Sequence, residues 1–337
     1  MKLDDRKKRI LASVVEDYVT SAEPVGSKTI ADRYNLEYSS ATIRNDMKLL
    51  EESGYLEQPH VSSGRIPSSK GYRYYVDNLM QSQQLSMLDI NYINNSITGY
   101  GNTEDLFEQV ADTVSKILNR PTILTMKNED ILESIKILKI SDKILLVIIM
   151  SENGTIKDVV AKLTDTIPDD SVKELSKLLN TNLQGTPIEK LYNVLSSVIS
   201  KELKLYSNVL EKICEGIKHE MSGDNKIVSN NLESILDMPE FANIDKAKNF
   251  INMLSTKNAV DTVIDKIENN DVGIVIGSEN LEIMLKDYSI ISLNLENGDG
   301  YSGKLSVVSP KRLDYSKTVS TLKYINEKVK NILSKDK

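Results

Sequence analysis

Apolar residues in the first fifty positions recur at helical spacing. Ile10, Val14, Val15 and Val19 form a stripe within residues 5–19, and Ile30 and Ala31 mark the inward side of a short helix over 27–34 that Ser27 can cap. A tight turn at Asn35 follows. In a third helix Ile43, Met47 and Leu50 fall at i, i+4 and i+7; Ser39 or Ser40 can cap it, and Gly54 stops it. On its other sides stand Ala41, Thr42, Arg44, Asn45 and Lys48, which are small, polar or cationic. Two short extended runs within Tyr55–Pro67, separated by Ser62-Ser63-Gly64, predict a hairpin.

Beyond residue 80 the pattern changes. Gln81–Gln84 is a polar link, and Leu88–Ile97 and Thr103–Leu118 read as helices, the latter ending before Asn119-Arg120-Pro121. Strand-like runs follow at Ile123–Met126, Ile135–Ile140, Ile144–Met150 and Ile156–Leu163, with Glu152-Asn153-Gly154 as the turn between the last two. From Pro168 to about Glu220 the pattern is helical, including Ser171–Leu179. Strands return at Val272–Ile276, Ile290–Leu295 and Leu305–Val308, around a turn at Asn297–Gly300, before a closing helix over Asp314–Leu333. A sheet interrupted by a helical block predicts one α/β domain carrying an insertion.

Two helices joined briefly, the second capped by Ser and polar on its outer side, then a hairpin, predict a winged helix-turn-helix whose later helix enters the major groove. The residues expected to meet DNA are Ser39, Ser40, Thr42, Arg44, Asn45 and Lys48 on that helix, and His60, Arg65 and Lys70 from the wing and just after it. Plainer readings stand beside these. The helix residues also fit a solvated face, and Arg65 and Lys70 fit ordinary hairpin charges. Tyr72, Tyr74 and Tyr75 read as packing rings.

Charge refines this picture. The chain carries a formal −7, with twelve cationic and twelve acidic residues in the first 80, so the excess acid lies beyond them. No acid interrupts His60, Arg65, Lys70 and Arg73 between Gln58 and Val76, a strip able to meet phosphates.

The run TIRNDMKLLEESGYL, then HVSSGRIPSSKGYRYYVD from His60 to Asp77, resembles the amino-terminal signature of the HrcA family of heat-inducible transcription repressors. Met238–Phe241, Ile276–Asn280 and Ser309–Tyr315 resemble the family's carboxy-terminal blocks, although Ser309, Lys311 and Leu313 stand where Gly, Thr and Met are expected. The resemblance implies a multidomain α+β protein: a winged helix-turn-helix at 1–80, a discontinuous GAF-like α/β domain at 81–163 and 207–337, and an inserted helical dimerisation domain at 164–206. It further implies a repressor that binds double-stranded DNA at an inverted-repeat operator of the CIRCE type upstream of chaperone operons. The GroE chaperonin would support its active form. Homodimerisation has a separate argument, since a helical pair with more apolar positions than one face can bury needs a partner.

Other classes find less in the chain. No phosphate-cradling GxxxxGK[ST], GxSxG elbow or His-based triad is present, so no enzyme activity is expected. With only His60 and His219, one cysteine at Cys214, and no Cys or His clustering, neither a metal site, a cofactor nor a disulfide framework is expected. No signal peptide or membrane-length apolar run is seen, which predicts a cytoplasmic protein without a membrane partner. Two alternatives remain: a winged-helix regulator sensing a small ligand through the GAF-like domain, and a winged helix used only for protein contacts. The polar outer face of the third helix favours DNA over the latter, because protein-contact faces carry apolar anchors.

Overall fold

The computed structural model describes residues 3–34, 37–61, 63–99, 101–128, 131–152, 154, 156–191, 193–195, 209–215, 226–255, 272–280, 283–296 and 301–334. The expected turns at Asn35 and Asn297–Gly300, and the helical pattern over 196–208, lie outside them. In chain order the elements are α1 (Asp5–Ser21), α2 (Ser27–Arg33), α3 (Ser40–Glu52), β1 (Leu56–Glu57), β2 (Ile66–Pro67), α4 (Ser69–Asn78), α5 (Met87–Ser96), α6 (Thr103–Leu118), β3 (Thr122–Asn128), β4 (Leu132–Ser141), β5 (Ile144–Ser151), β6 (Ile156–Lys162) and α7 (Asp169–Leu183). Then come β7 (Lys226–Asn230), α8 (Ile244–Ser255), β8 (Val272–Ile276), β9 (Tyr288–Glu296), β10 (Tyr301–Pro310) and α9 (Tyr315–Leu333).

The chain divides into two compact units. One comprises Met1–Thr125, Ile227–Leu295 and Gly303–Lys337; the other comprises Met126–Lys226 and Glu296–Ser302.

Within the first unit, α1, α2 and α3 pack around Ile10, Leu11, Val14, Ile30, Ile43 and Leu50, all wholly buried. Asp4 caps α1, its carboxylate accepting from Lys7 N at 2.9 Å. The short β1–β2 ladder pairs Leu56 with Pro67 and Glu57 with Ile66, antiparallel, and Val25 bridges to Arg65 as a further rung. The remainder of this unit holds a five-stranded sheet in the order β7-β3-β10-β9-β8. A core of Ile123, Ile235, Phe241, Phe250, Ile290 and Val308 lies against it. Strand β7 and helix α8 had no counterpart in the sequence reading.

The second unit departs from the expected partition. Strands β4, β5 and β6 do not extend the five-stranded sheet; they make their own three-stranded antiparallel sheet, in the order β4-β5-β6. The described part of the segment expected as the insert, 164–206, lies in the same compact unit as this sheet. Its helix α7 covers the inner face of this sheet through Val172, Leu175, Leu179 and Leu183, against Ile135, Val147, Ile149 and Val159. Asn180 on α7 serves the open edge of β4, accepting from Ile135 N and donating to Ile135 O, each at 2.7 Å.

The outer face of the same sheet is largely apolar, interrupted by Lys136, Asp158 and Lys162. Cross-strand rows place Leu138 beside Leu146 and Leu146 beside Val160, and Met150 beside Ile156. Leu138, Ile140, Ile156 and Val160 are exposed. Alternation that is largely apolar on both sides differs from a sheet with one wet face.

Candidate nucleic-acid interface

Helix α3 owes its inward face to four positions. Ile43, Met47 and Leu50 are buried as expected, and so is Asp46, three residues after Ile43. The Asp46 carboxylate accepts from Arg6 at 2.6 and 3.2 Å and lies 3.7 Å from Lys7 Nζ, which fixes α3 to α1. Hydrogen bonding to Asp46 raises the Arg6 guanidinium above its ordinary value. The sequence reading missed Asp46, although an acid at 46 among apolar 43, 47 and 50 is itself the signal of a paired buried charge.

The helix ends are closed by local chemistry. Ser39, not Ser40, is the N-cap: its Oγ accepts from Thr42 N at 3.2 Å and lies 2.9 Å from Thr42 Oγ1. Ser40 Oγ instead meets Ser27 Oγ at 3.1 Å, joining the starts of α2 and α3. Ser27 is thus inside its helix, whose cap is Gly26 without a side-chain bond. At the far end Gly54, with φ +77°, closes a Schellman turn: Tyr55 N donates to Leu50 O and Gly54 N to Glu51 O, both 2.8 Å.

Outward from α3 stand Ala41, Arg44, Asn45 and Lys48, all exposed, with Ser39 exposed and Thr42 half-buried beside them. Lys48 lies 3.7 Å from Glu52, an exposed i,i+4 pair that restrains it little. At the hairpin tip His60 is exposed; its N–H donates to Ser63 Oγ, and Ser63 Oγ donates back to His60 O at 2.8 Å. Val61 beside it is 98% exposed.

The basic strip read along the chain does not form one free surface. Arg65 is half-buried, its Nε donating to Glu51 at 2.8 Å and its backbone paired with Val25 in both directions. Lys70 donates to Ser53 O at 2.8 Å and sits 4.4 Å over the Tyr55 ring, serving the carboxyl end of α3. Arg73 donates to Glu279 at 2.7 Å and to Ile274 O at 2.7 Å, and Glu279, through hydrogen bonding, raises its pKa. These three cations hold the head together or hold it to the body. The plainer reading of Arg65 and Lys70 fits their geometry, as packing fits Tyr72 and Tyr75, both buried.

Five separated stretches of sequence meet at this head-to-body junction. Arg312 donates to Glu240 at 2.6 and 3.1 Å and to Val19 O at 2.8 Å. Burial lowers the Arg312 pKa, but the hydrogen bond to Glu240 and its charge, together with Tyr18 and Tyr72, leave it raised. Tyr72 packs on Tyr315, ring centres 5.6 Å apart, and Ser278 N donates to Ser69 Oγ. A Cβ on Gly277, whose φ is +53°, would stand 2.2 Å from Ser69 Oγ, so this contact requires glycine.

Fold and interface together define a multidomain α+β protein that presents one polar helix and one hairpin outward from a docked head. Comparison with known proteins makes the assignment specific. The profile of the HrcA protein C terminal domain matches residues 104–319. A protein of Acetivibrio thermocellus named heat-inducible transcription repressor HrcA is 33% identical, over 98% of this chain and 96% of its own length. One of the same name from Clostridium perfringens strain 13 is 34% identical, over 98% and 99%. A crystal structure of a hypothetical protein shares the fold, with TM-score 0.61 at 21% identity and full coverage of both chains. The chain belongs to the HrcA family.

Proposed function

We propose that this chain is a heat-responsive transcription repressor whose residues 1–80 form a winged helix-turn-helix. Helix α3 enters the major groove, with Arg44 and Asn45 on base edges, Ser39, Ser40, Thr42 and Lys48 at its margins, and His60 carried toward the backbone by the hairpin. The observation that carries this reading is the outward face of α3: small, polar or cationic from Ala41 to Lys48, with Leu49 exposed beyond it, beside a hairpin tip free of acids. Arg65 and Lys70 contribute by fixing the wing to α3.

The five-stranded sheet belongs to the GAF-like domain, and the unit beginning at Met126 serves as the dimerisation insert. The support for a homodimer is the largely apolar outward face of its three-stranded sheet, together with the match between two-fold proteins and inverted repeats. The operator is an inverted repeat of the CIRCE type before chaperone operons, and the GroE chaperonin sustains the active form. Footprinting the purified protein on chaperone promoters of its own genome tests the reading. A protected inverted repeat is expected, and protection indifferent to sequence would refute it.

A further inference from the structure

The junction encloses a cleft of about 470 Å³ that the reading of α3 does not use. Its walls come from both parts of the first unit: Tyr18, Pro67 and Tyr72 from the head, and Phe241, Tyr288 and Lys311 from the body. Its size falls in the range of small-molecule sites. The Phe241 and Tyr288 rings lie nearly parallel, 11° apart, and offer flat apolar walls. Tyr72 is 1% exposed, and its hydroxyl has no hydrogen-bond partner among the described residues. A buried phenol is ordinarily satisfied, so this donor lacks what a ligand could supply.

The charges at the cleft have a sign. Glu240 is spent on Arg312, and Asp287 reaches only 3.9 Å from Lys311 while itself 89% exposed. Arg312 is spent likewise, so Lys246 and Lys311 stand against Asp287, a net of one positive charge in the lining.

We infer that this cleft binds a small planar organic anion, an aromatic carboxylate or a nucleoside monophosphate, with its ring against the wall that Phe241 and Tyr288 form together, its charge toward Lys246 and Lys311, and a hydrogen bond from the Tyr72 hydroxyl. Because head and body each supply part of the wall, such a ligand has a different affinity for each angle between them and so biases that angle. This last step rests on the reading of the head as a DNA reader; the binding itself does not.

Fluorine NMR of the full-length protein tests it with three probes: 4-fluorobenzoate, 2-fluoroadenosine 5′-monophosphate and neutral 4-fluorobenzamide. Saturable broadening of at least one anion, and not of the amide, is expected; which anion broadens identifies the source. Lys246→Ala with Lys311→Ala, and separately Tyr72→Phe, should each weaken that binding about tenfold, the worth of one hydrogen bond to a charged group. Lys246→Ala alone, at an exposed position, should weaken it without touching the fold. Binding of neither anion, equal binding of the amide, or binding unchanged in all variants overturns the inference. An operator gel shift with the bound anion then tests the coupling: binding without any shift refutes only the link to DNA.

Discussion

Arg73 and Glu279, 206 positions apart, form a forked ion pair that fastens the last helix of the head to the turn after β8. Both side chains are about a third exposed, which limits what the pair contributes on its own to about 1 kcal/mol. Arg73→Ala and Glu279→Gln should each lower the unfolding free energy by about that amount, with a coupling of similar size in a double-mutant cycle. Additive losses in thermal melts would show that the pair is only a crystal-like surface contact.

Arg44→Ala and Asn45→Ala should weaken operator binding by about 1–3 kcal/mol each while leaving binding to random DNA little changed. Arg65→Ala should act differently. Its partner Glu51 loses its counter-charge, so both DNA types should suffer through a displaced wing. Gel shifts on operator and scrambled duplexes separate the two, and parallel losses for all three variants would contradict the division of roles.

Asp46→Ala should cost about 1–3 kcal/mol, because it removes the buried acceptor of Arg6 at 2.6 Å while Lys7 keeps Asp4 as its partner. Urea unfolding of residues within α1 and α3, followed by hydrogen exchange, checks this. A loss below about 1 kcal/mol would mean that water replaces the carboxylate freely.

Leu146→Lys with Val160→Lys, on the outer face of the three-stranded sheet, should give a monomer by sedimentation while α7 and the inner face stay folded. Operator affinity should fall by roughly 10²–10⁴ as the two heads are no longer tethered. A dimer that persists would place the interface elsewhere. Deleting 164–206 is the poorer experiment, since α7 belongs to the core of that unit.

Burial pushes the Cys214 thiol up to about 11 from 9.0. Its neutral form is therefore favoured in the folded state. That contribution is fully present below pH 9, the unfolded value, and is lost as pH rises through 11, at most about 3 kcal/mol. Melts of Cys214→Ala should show a shallower decline over that window than the parent, and identical slopes would remove the cysteine from the account.

Much of this architecture was legible because its periodicity is strong: α1, α3, α6 and α9, and strands β4 to β6, all follow clear 3.6- or 2-residue patterns. What was not legible is pairing. Nothing in Ile135–Leu163 distinguishes a strand of one sheet from a strand of another, and sheet membership is decided by contacts remote in sequence. Strand β7 is short and polar, and α8 was overlooked although Ala247, Phe250 and Leu254 follow helical spacing. At the head, charge count revealed cations but not their partners. Arg65, Lys70 and Arg73 look free along the chain because Glu51, Ser53 O and Glu279 come to them only through folding.

The Schellman turn at Gly54 hands α3 directly to β1, and Ser68 Oγ donates to Gly54 O, so helix, hairpin and α4 move as a single piece. Rotating α4 on the body therefore swings α3, the helix proposed to enter the groove, through the same angle. In a two-headed protein that angle is a ruler. Changes at Gly277 or Glu279, far from any base, would alter the preferred number of base pairs between half-sites while leaving the half-site sequence untouched.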